Sequence, residues 1–213
     1  MHHSTFSPDR EFLVTDEDTL KKLYGTPSEA SLAKETDYIH PHYRRFIEVS
    51  PFFVLATSGP DGPDASPRGD KPGFVTVENE KTLLIPDRRG NNRMDSLRNI
   101  IHNPSVALFF LIPGIGESLR VNGRAQITVD PAWRSRFEME NKLPATVLIV
   151  HVEKVFFQCA RAIQRSGLWD PSLHITRDQL PSTGTILEDL SAQRITASEY
   201  DRDLYGRQKN TLY

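Results

Sequence analysis

Residues 64–86 read DASPRGDKPGFVTVENEKTLLIP. Short apolar runs, VTV and TLLIP, are separated by Pro-Arg-Gly, Lys-Pro-Gly and Asn-Glu-Lys, residue types that set turns or end strands. The stretch predicts two or three antiparallel strands in a meander, with no helix between them. A parallel sheet would need a crossover helix after nearly every strand. The flanking chain keeps the same rhythm. Upstream, FFVLATS (52–58) runs into the tight turn GPDGP. Downstream, SVALFFLIP (105–113) is a nearly continuous apolar strand, followed by the corner GIGE, and SLRVNGRAQITV (118–129) is a long strand expected to bend or bulge at Gly123. ATVLIVHVEKVFFQCA (145–160) is the longest β-rich run. Six or so strands with short turns predict a mainly β fold, a small antiparallel barrel with helices at its edges.

Three helical stretches punctuate this pattern. In TDEDTLKKLYG (15–25), Thr15 is the expected N-cap and Gly25 the stop. HPHYRRFIEVS (40–50) is a second. NRMDSLRNIIHN (92–103) places Met94, Leu97 and Ile101 at i, i+3 and i+7, which predicts one buried face, and Asn103-Pro104 ends it. Asp130 and Pro131 open a further short helix. The expected division is an N-terminal helical extension over 1–44, a β domain over 45–171, and a C-terminal arm over 172–213 packing on the β domain or on a second subunit.

Composition narrows the function. No apolar run in the 213 residues approaches the ~20 that a membrane helix needs. The start, MHHSTFSPDREF, has no basic segment followed by an apolar one, so the expected compartment is the cytoplasm. A single cysteine, Cys159, excludes an intramolecular disulfide and reads as a buried small hydrophobe. With a formal charge of −2, anion binding must come from local clusters, and nucleic acid is a poor partner. The histidines show no metal-ligand spacing, and no nucleophile elbow, P-loop or G-x-G-x-x-G fingerprint is present.

Two basic clusters remain. In IPDRRGNNR, Arg88, Arg89 and Arg93 crowd the start of a helix expected from about Asn92, with Asn91 and Asn92 as caps or neutral donors. Cations at a helix N-terminus are unfavourable unless an anion sits there as well. The turn reads either as a phosphate cradle or as a solvated surface turn, with Arg89 the member most readily given to solvent. In SPRGDKPG, Arg68 and Lys71 would reach the same anion if their strand pairs with TLLIP; alone, they read as a charged edge that resists aggregation. Arg120, on a later strand, is a candidate to point toward a ligand, and Arg124 to point away. Trp169 is either a packing anchor or the cover of a flat ligand.

The succession PRGDKPGFV, TLLIPDRRGNNRMDSLRNI, HNPSVALFFLIPG and SLRVNGRAQI, with CARAIQRSGLWDP further on, resembles the pyridoxamine 5'-phosphate oxidase-related, FMN-binding split-barrel family. It is most similar to a subgroup described only as FMN-dependent enzymes, and the likeness covers residues 45–171. The resemblance implies a six-stranded antiparallel split β-barrel, a homodimer with FMN at the subunit interface. It implies that Arg68 and Arg93 hold the FMN phosphate, with Lys71, Arg88, Asn91 and Asn92 in the same motifs. Leu84, Ile85 and Pro86 would flank the isoalloxazine, Ser118 to Arg120 would line it, and the segment from Arg161 to Trp169 would reach it from the partner. It further implies an oxidoreductase acting on a small molecule, with NAD(P)H as a candidate electron donor. The R-[LIVM]-H-[DNE]-R signature that accompanies pyridoxine phosphate oxidation is missing from residues 160–213, so the resemblance extends to the cofactor and not to that substrate. The alternatives are a flavin-binding or sensing protein without turnover, and a split barrel holding haem or a deazaflavin.

Overall fold

A computed structural model describes residues 8–213; the first seven residues of the expected N-terminal extension lie outside that range. The chain divides into two units, Met1–Glu35 and Thr36–Tyr213. The first carries α1 (Glu17–Tyr24) and α2 (Glu29–Ala33). Asp16, not Thr15, caps α1, because its carboxylate accepts from the Thr19 N–H at 2.8 Å. Gly25 ends the helix at φ +71°, as expected of a left-handed stop.

The second unit is built on one antiparallel sheet of seven strands: β1 (Phe52–Gly59), β2 (Gly62–Gly69), β3 (Thr76–Asn79), β4 (Thr82–Pro86), β5 (Ser105–Leu111), β6 (Ser118–Thr128) and β7 (Val147–Gln158). Their order is β2-β1-β5-β6-β7-β4-β3. The sequence predicted six strands. The count reaches seven because residues 62–86 make three strands, of which β3, four residues that pair only with β4, forms an edge. No ladder among the described residues joins the two edges, β2 and β3, so hydrogen bonding does not close the sheet into a barrel. Against it pack α3 (Pro41–Val49) and α4 (Asp95–His102); α5 (Pro131–Ser135) and α6 (Arg161–Ser166) follow β6 and β7, and α7 (Thr183–Leu190) and α8 (Ala197–Asn210) pack on each other. No helix of the described residues is long and apolar enough to cross a membrane.

The core follows from alternation along the strands. Phe53 and Leu55 on β1, Leu108 and Phe110 on β5, and Leu119 and Val121 on β6 are fully buried, and apart from buried Ser118 their neighbours are half-buried or exposed. Phe53 and Phe110 stand opposite each other in register with ring centroids 5.0 Å apart, and Phe74 stacks on Phe53 at 5.8 Å. Each such ring contributes about 1.5–3 kcal/mol by leaving water. Midway along β6 the register shifts between Asn122 and Gly123, the bulge expected from the glycine. A Cβ at Gly123 would collide with the His151 carbonyl, so only glycine lets β7 approach there.

The helix after β4 differs from its expected form. α4 begins at Asp95, not Asn92, because Asn92 and Met94 sit in left-handed conformations at φ +59° and +61°. Its buried face is Ser96 and Ile100 with half-buried Leu97, whereas Met94 and Ile101 are exposed. The i, i+3, i+7 pattern counted Met94 as helical. With the helix starting three residues later, Met94 drops out, and the buried pair is Ser96 and Ile100 at i and i+4, which leaves Ile101 on the outer side. Cys159 is exposed just beyond β7, not buried as its apolar neighbours suggested. The tail, where the sequence showed no pattern, holds α7 and α8.

Candidate functional site

β2 is an edge strand whose inner face is polar. Asp64, Ser66 and Arg68 recur at every second position and are the half-buried ones, while Pro63, Ala65 and Pro67 between them are exposed. In register they stand opposite Thr57, Leu55 and Phe53 of β1, so this polar row continues the face that elsewhere forms the core. The space above it is a cavity of about 370 Å3, floored by this row and walled by Asp87, Arg88 and the turn from Gly90 to Leu97. That volume lies within the range of small-molecule sites, ~300–1,000 Å3.

The basic residues converge by a route the sequence did not suggest. β2 does not pair with β4: β2 pairs with β1, and β4 with β3 and β7. Arg68 nevertheless reaches across to Asp87, just past the end of β4, with a terminal nitrogen 2.5 Å from Oδ1. Curvature and twist of the sheet therefore bring its ends together through side chains in place of a ladder. Arg68 and Asp87 are only 21% and 17% exposed. Arg68 Nε is buried and has no hydrogen-bond partner, an unusual state for a cationic donor.

Arg88 turns away from the cavity floor. Its Nε binds Asp70 Oδ2 at 2.7 Å, a terminal nitrogen donates to the Phe137 carbonyl at 2.6 Å, and its guanidinium lies over the Tyr213 ring. The Tyr213 hydroxyl donates to the other Asp70 oxygen at 2.8 Å. Burial acts to raise the Asp70 carboxyl, but the Lys71 N–H, the Tyr213 hydroxyl and Arg88 together hold it below the ordinary value. The bond to Asp70 and burial push the Tyr213 phenol up. Arg93 is exposed and pairs with Asp95 at 2.7 Å, a contact that an exposed pair surrenders at little cost. The Asp95 bond holds the guanidinium charged.

Three aspartates line the cavity with three arginines, and each has a donor: Asp87 takes Arg68, Asp95 takes Arg93, and Asp64 takes the Ser96 hydroxyl at 2.8 Å. Ser96 and Ser66 hydroxyls also meet, 3.0 Å apart. No side chain caps the first turn of α4, so its leading N–H groups stand at the cavity with their partial positive charge.

Of the residues singled out in the sequence, Arg68, Arg88, Asn91, Asn92 and Arg93 line this one cavity. Asn91 does not cap α4; its Oδ1 accepts from the Arg93 N–H at 3.1 Å and shapes the turn. Arg89 is exposed. Lys71 is exposed and lines a neighbouring cleft together with Arg88 and Asn91. Ile85 and Pro86 are buried in β4 immediately before Asp87. Ser118, Arg120 and Trp169 are not brought to the cavity. Ser118 is buried at the start of β6, Arg120 lies exposed over the Phe156 ring, and the Trp169 indole donates to the Ile115 carbonyl at 2.8 Å. Arg124, expected to point outward, is exposed as well. The sequence reading passed over Asp64, Ser66, Asp87, Asp95 and Ser96. A signal was present for Ser66, two residues from Arg68 on a strand and so on its face. Tyr213 carried none.

The sequence profile of the family described as Pyridoxamine 5'-phosphate oxidase matches residues 39–159. None of the curated proteins matches the chain. Among solved structures, HupZ of Group A Streptococcus is 20% identical, over 57% of this chain and 94% of its own, with a TM-score of 0.47. General Stress Protein 26 from Bacillus anthracis is 18% identical, over 55% and 93%, with a TM-score of 0.40. An FMN-binding protein from Syntrophomonas wolfei is 11% identical, over 66% and 95%, with a TM-score of 0.41.

Proposed function

Because the chain belongs to the pyridoxamine 5'-phosphate oxidase family, we propose that it is an FMN-dependent oxidoreductase of the cytoplasm, acting as a homodimer on a small-molecule substrate, with NAD(P)H as candidate electron donor. The observation that carries the reading is the buried Arg68 Nε without an acceptor, on a side chain that lines a cavity together with Arg88, Arg93 and an uncapped helix start. A phosphate monoester supplies what that donor lacks, and the donor set of guanidinium, N–H and hydroxyl groups suits one.

In this reading Arg68 and Arg93 hold the FMN phosphate, with Ser66, Ser96 and the leading N–H groups of α4 as neutral donors. Arg68 keeps one nitrogen on Asp87 while Nε takes the phosphate, so its guanidinium is oriented before the ligand arrives. Arg93 exchanges Asp95 for the phosphate. Arg88 acts indirectly: tied to Asp70 and to the Phe137 carbonyl, it fixes the turn that carries Asn91 and Asn92. Ile85 and Pro86 would flank the ring through their backbone, Ser118 and Arg120 would line it, and the Arg161–Trp169 segment of a second copy would cover it. FMN, when bound, supplies the hydride-accepting centre; the chain supplies its position and excludes water from it.

Purification tests the reading directly. The expected protein is yellow, releases FMN on denaturation by mass, and runs as a dimer by light scattering. Anaerobic mixing with NADH or NADPH then separates turnover from mere flavin holding, and a haem spectrum would assign the remaining alternative. A colourless protein that takes up no added FMN refutes it.

A further inference from the structure

On the other side of the Arg88–Asn91 turn lies a second concavity of about 910 Å3, bounded by that turn, by the chain following β2, and by α8. Its charged lining is lopsided. Lys71, Arg88, Arg89 and Arg207 face it, against one carboxylate, Asp70. Asp70 is 3% exposed and already engaged by Arg88 and the Tyr213 hydroxyl. Among the described residues, Lys71, Arg89 and Arg207 form no ion pair. Arg207 lies over the Tyr200 ring with its guanidinium carbon 4.5 Å from the centroid, which props the head group without neutralising it. Three uncompensated cations around one cleft focus a positive potential there, and they repel one another until an anion joins them. A single phosphate would leave much of that charge unmet. Tyr200 and Tyr213 also line the cleft, each with one ring face under an arginine, and give it aromatic surface beside the cations.

We propose that this cleft binds the phosphate chain of a nucleotide, a nucleoside diphosphate being the smallest such ligand that joins two phosphates to a flat base. The site is separate from the FMN phosphate cavity. The two share Arg88, Gly90 and Asn91 as a common wall, whereas Arg89, Arg207 and Tyr200 line the cleft and not the FMN phosphate cavity; Arg89 also borders a third hollow beside Lys142. Arg89, which in the sequence read as plain surface, and Arg207, in a tail without pattern, are its principal ligands.

Equilibrium dialysis of the FMN-supplemented full chain tests this, with ADP, inorganic pyrophosphate and adenosine as separate probes. ADP and pyrophosphate are expected to bind and adenosine not to. Affinity for ADP should fall steeply as salt rises, since the cations are exposed. The double variant Arg89→Ala, Arg207→Ala should weaken ADP binding about 100-fold or more, two charge-assisted contacts being lost, with flavin content and melting temperature unchanged. ADP binding that is insensitive to salt, equal in the double variant, or matched by adenosine overturns the proposal, and so does no binding of ADP or pyrophosphate at millimolar concentration. The salt series uses the unaltered chain, so it decides even if the variant misfolds. Flavin is read by absorbance in the same samples. A chain that holds ADP without FMN refutes only the flavin reading, and one that holds FMN without ADP refutes only this one.

Discussion

Replacing Arg68 by alanine removes a buried cationic Nε donor that has no acceptor among the described residues. The side chain is 21% exposed and its Nε is buried, so a contact with a phosphate oxygen is largely shielded from water. A hydrogen bond between charged partners contributes about 1.5–3 kcal/mol, which corresponds to a ~10- to 150-fold loss of FMN affinity. The same change strands Asp87, 17% exposed and deprived of its ion-pair partner, so part of any loss could reflect instability instead. A companion variant separates the two. Asp87→Asn keeps Arg68 and leaves an amide oxygen to accept from its terminal nitrogen, so FMN should bind within a few-fold of the unaltered chain. The double variant Arg68→Ala, Asp87→Asn leaves no stranded charge and should still show the full loss. Fluorescence titration of the apoprotein with FMN reads all four forms, with urea unfolding alongside. If Arg68→Ala binds FMN with unchanged affinity, or if the double variant regains it, the phosphate assignment is wrong.

Gly123→Ala puts a methyl group against the His151 carbonyl at the β6 bulge, and should cost stability at the upper end of ~1–3 kcal/mol, seen as a lower urea midpoint. Phe53→Ala opens the ring cluster with Phe74 and Phe110 and should cost about 3–5 kcal/mol in the same assay. The Asp70–Tyr213 bond should be stable only between two pH limits. The Asp70 pKa is lowered by folding, so its contribution is complete above the unfolded value of ~3.9 and fades as pH falls through the lower folded value. That of Tyr213 is raised, so its contribution is complete below an unfolded value of ~10 and fades as pH rises through the higher folded one. Tyr213→Phe, which keeps the ring on Arg88 but loses the hydroxyl, should lose about 1 kcal/mol between those limits and flatten the stability profile outside them. A profile identical to that of the unaltered chain would show the contact to be idle.

Local chemistry is what the residue order determines by itself. Period-two apolar runs bounded by Pro, Gly and Asn make β1, β5, β6 and β7 legible, because a strand's alternation is a property of adjacent residues. The Gly123 bulge is legible for the same reason, as is the arginine turn that leads from β4 into α4. Arg68 and Arg93 are legible as members of basic clusters, and the family resemblance is what proposes them as phosphate ligands. What depends on distant chain is not legible. That Arg68 meets Asp87 follows from the sheet bringing two non-pairing strands together. That Met94 stands outside α4, and that Ser96 and Ile100 face inward, follows from two left-handed residues and from hydroxyl bonds to Asp64 and Ser66. α8 carries no apolar stripe; its place is set by contacts such as the Gly184 N–H on Asp201, and it brings Arg207 to a cleft opposite Lys71 and Arg89. Tyr213 lies 143 positions from Asp70 along the chain. A side chain's partner is decided by which backbone segments come within a few ångströms, and only the folded chain contains that information.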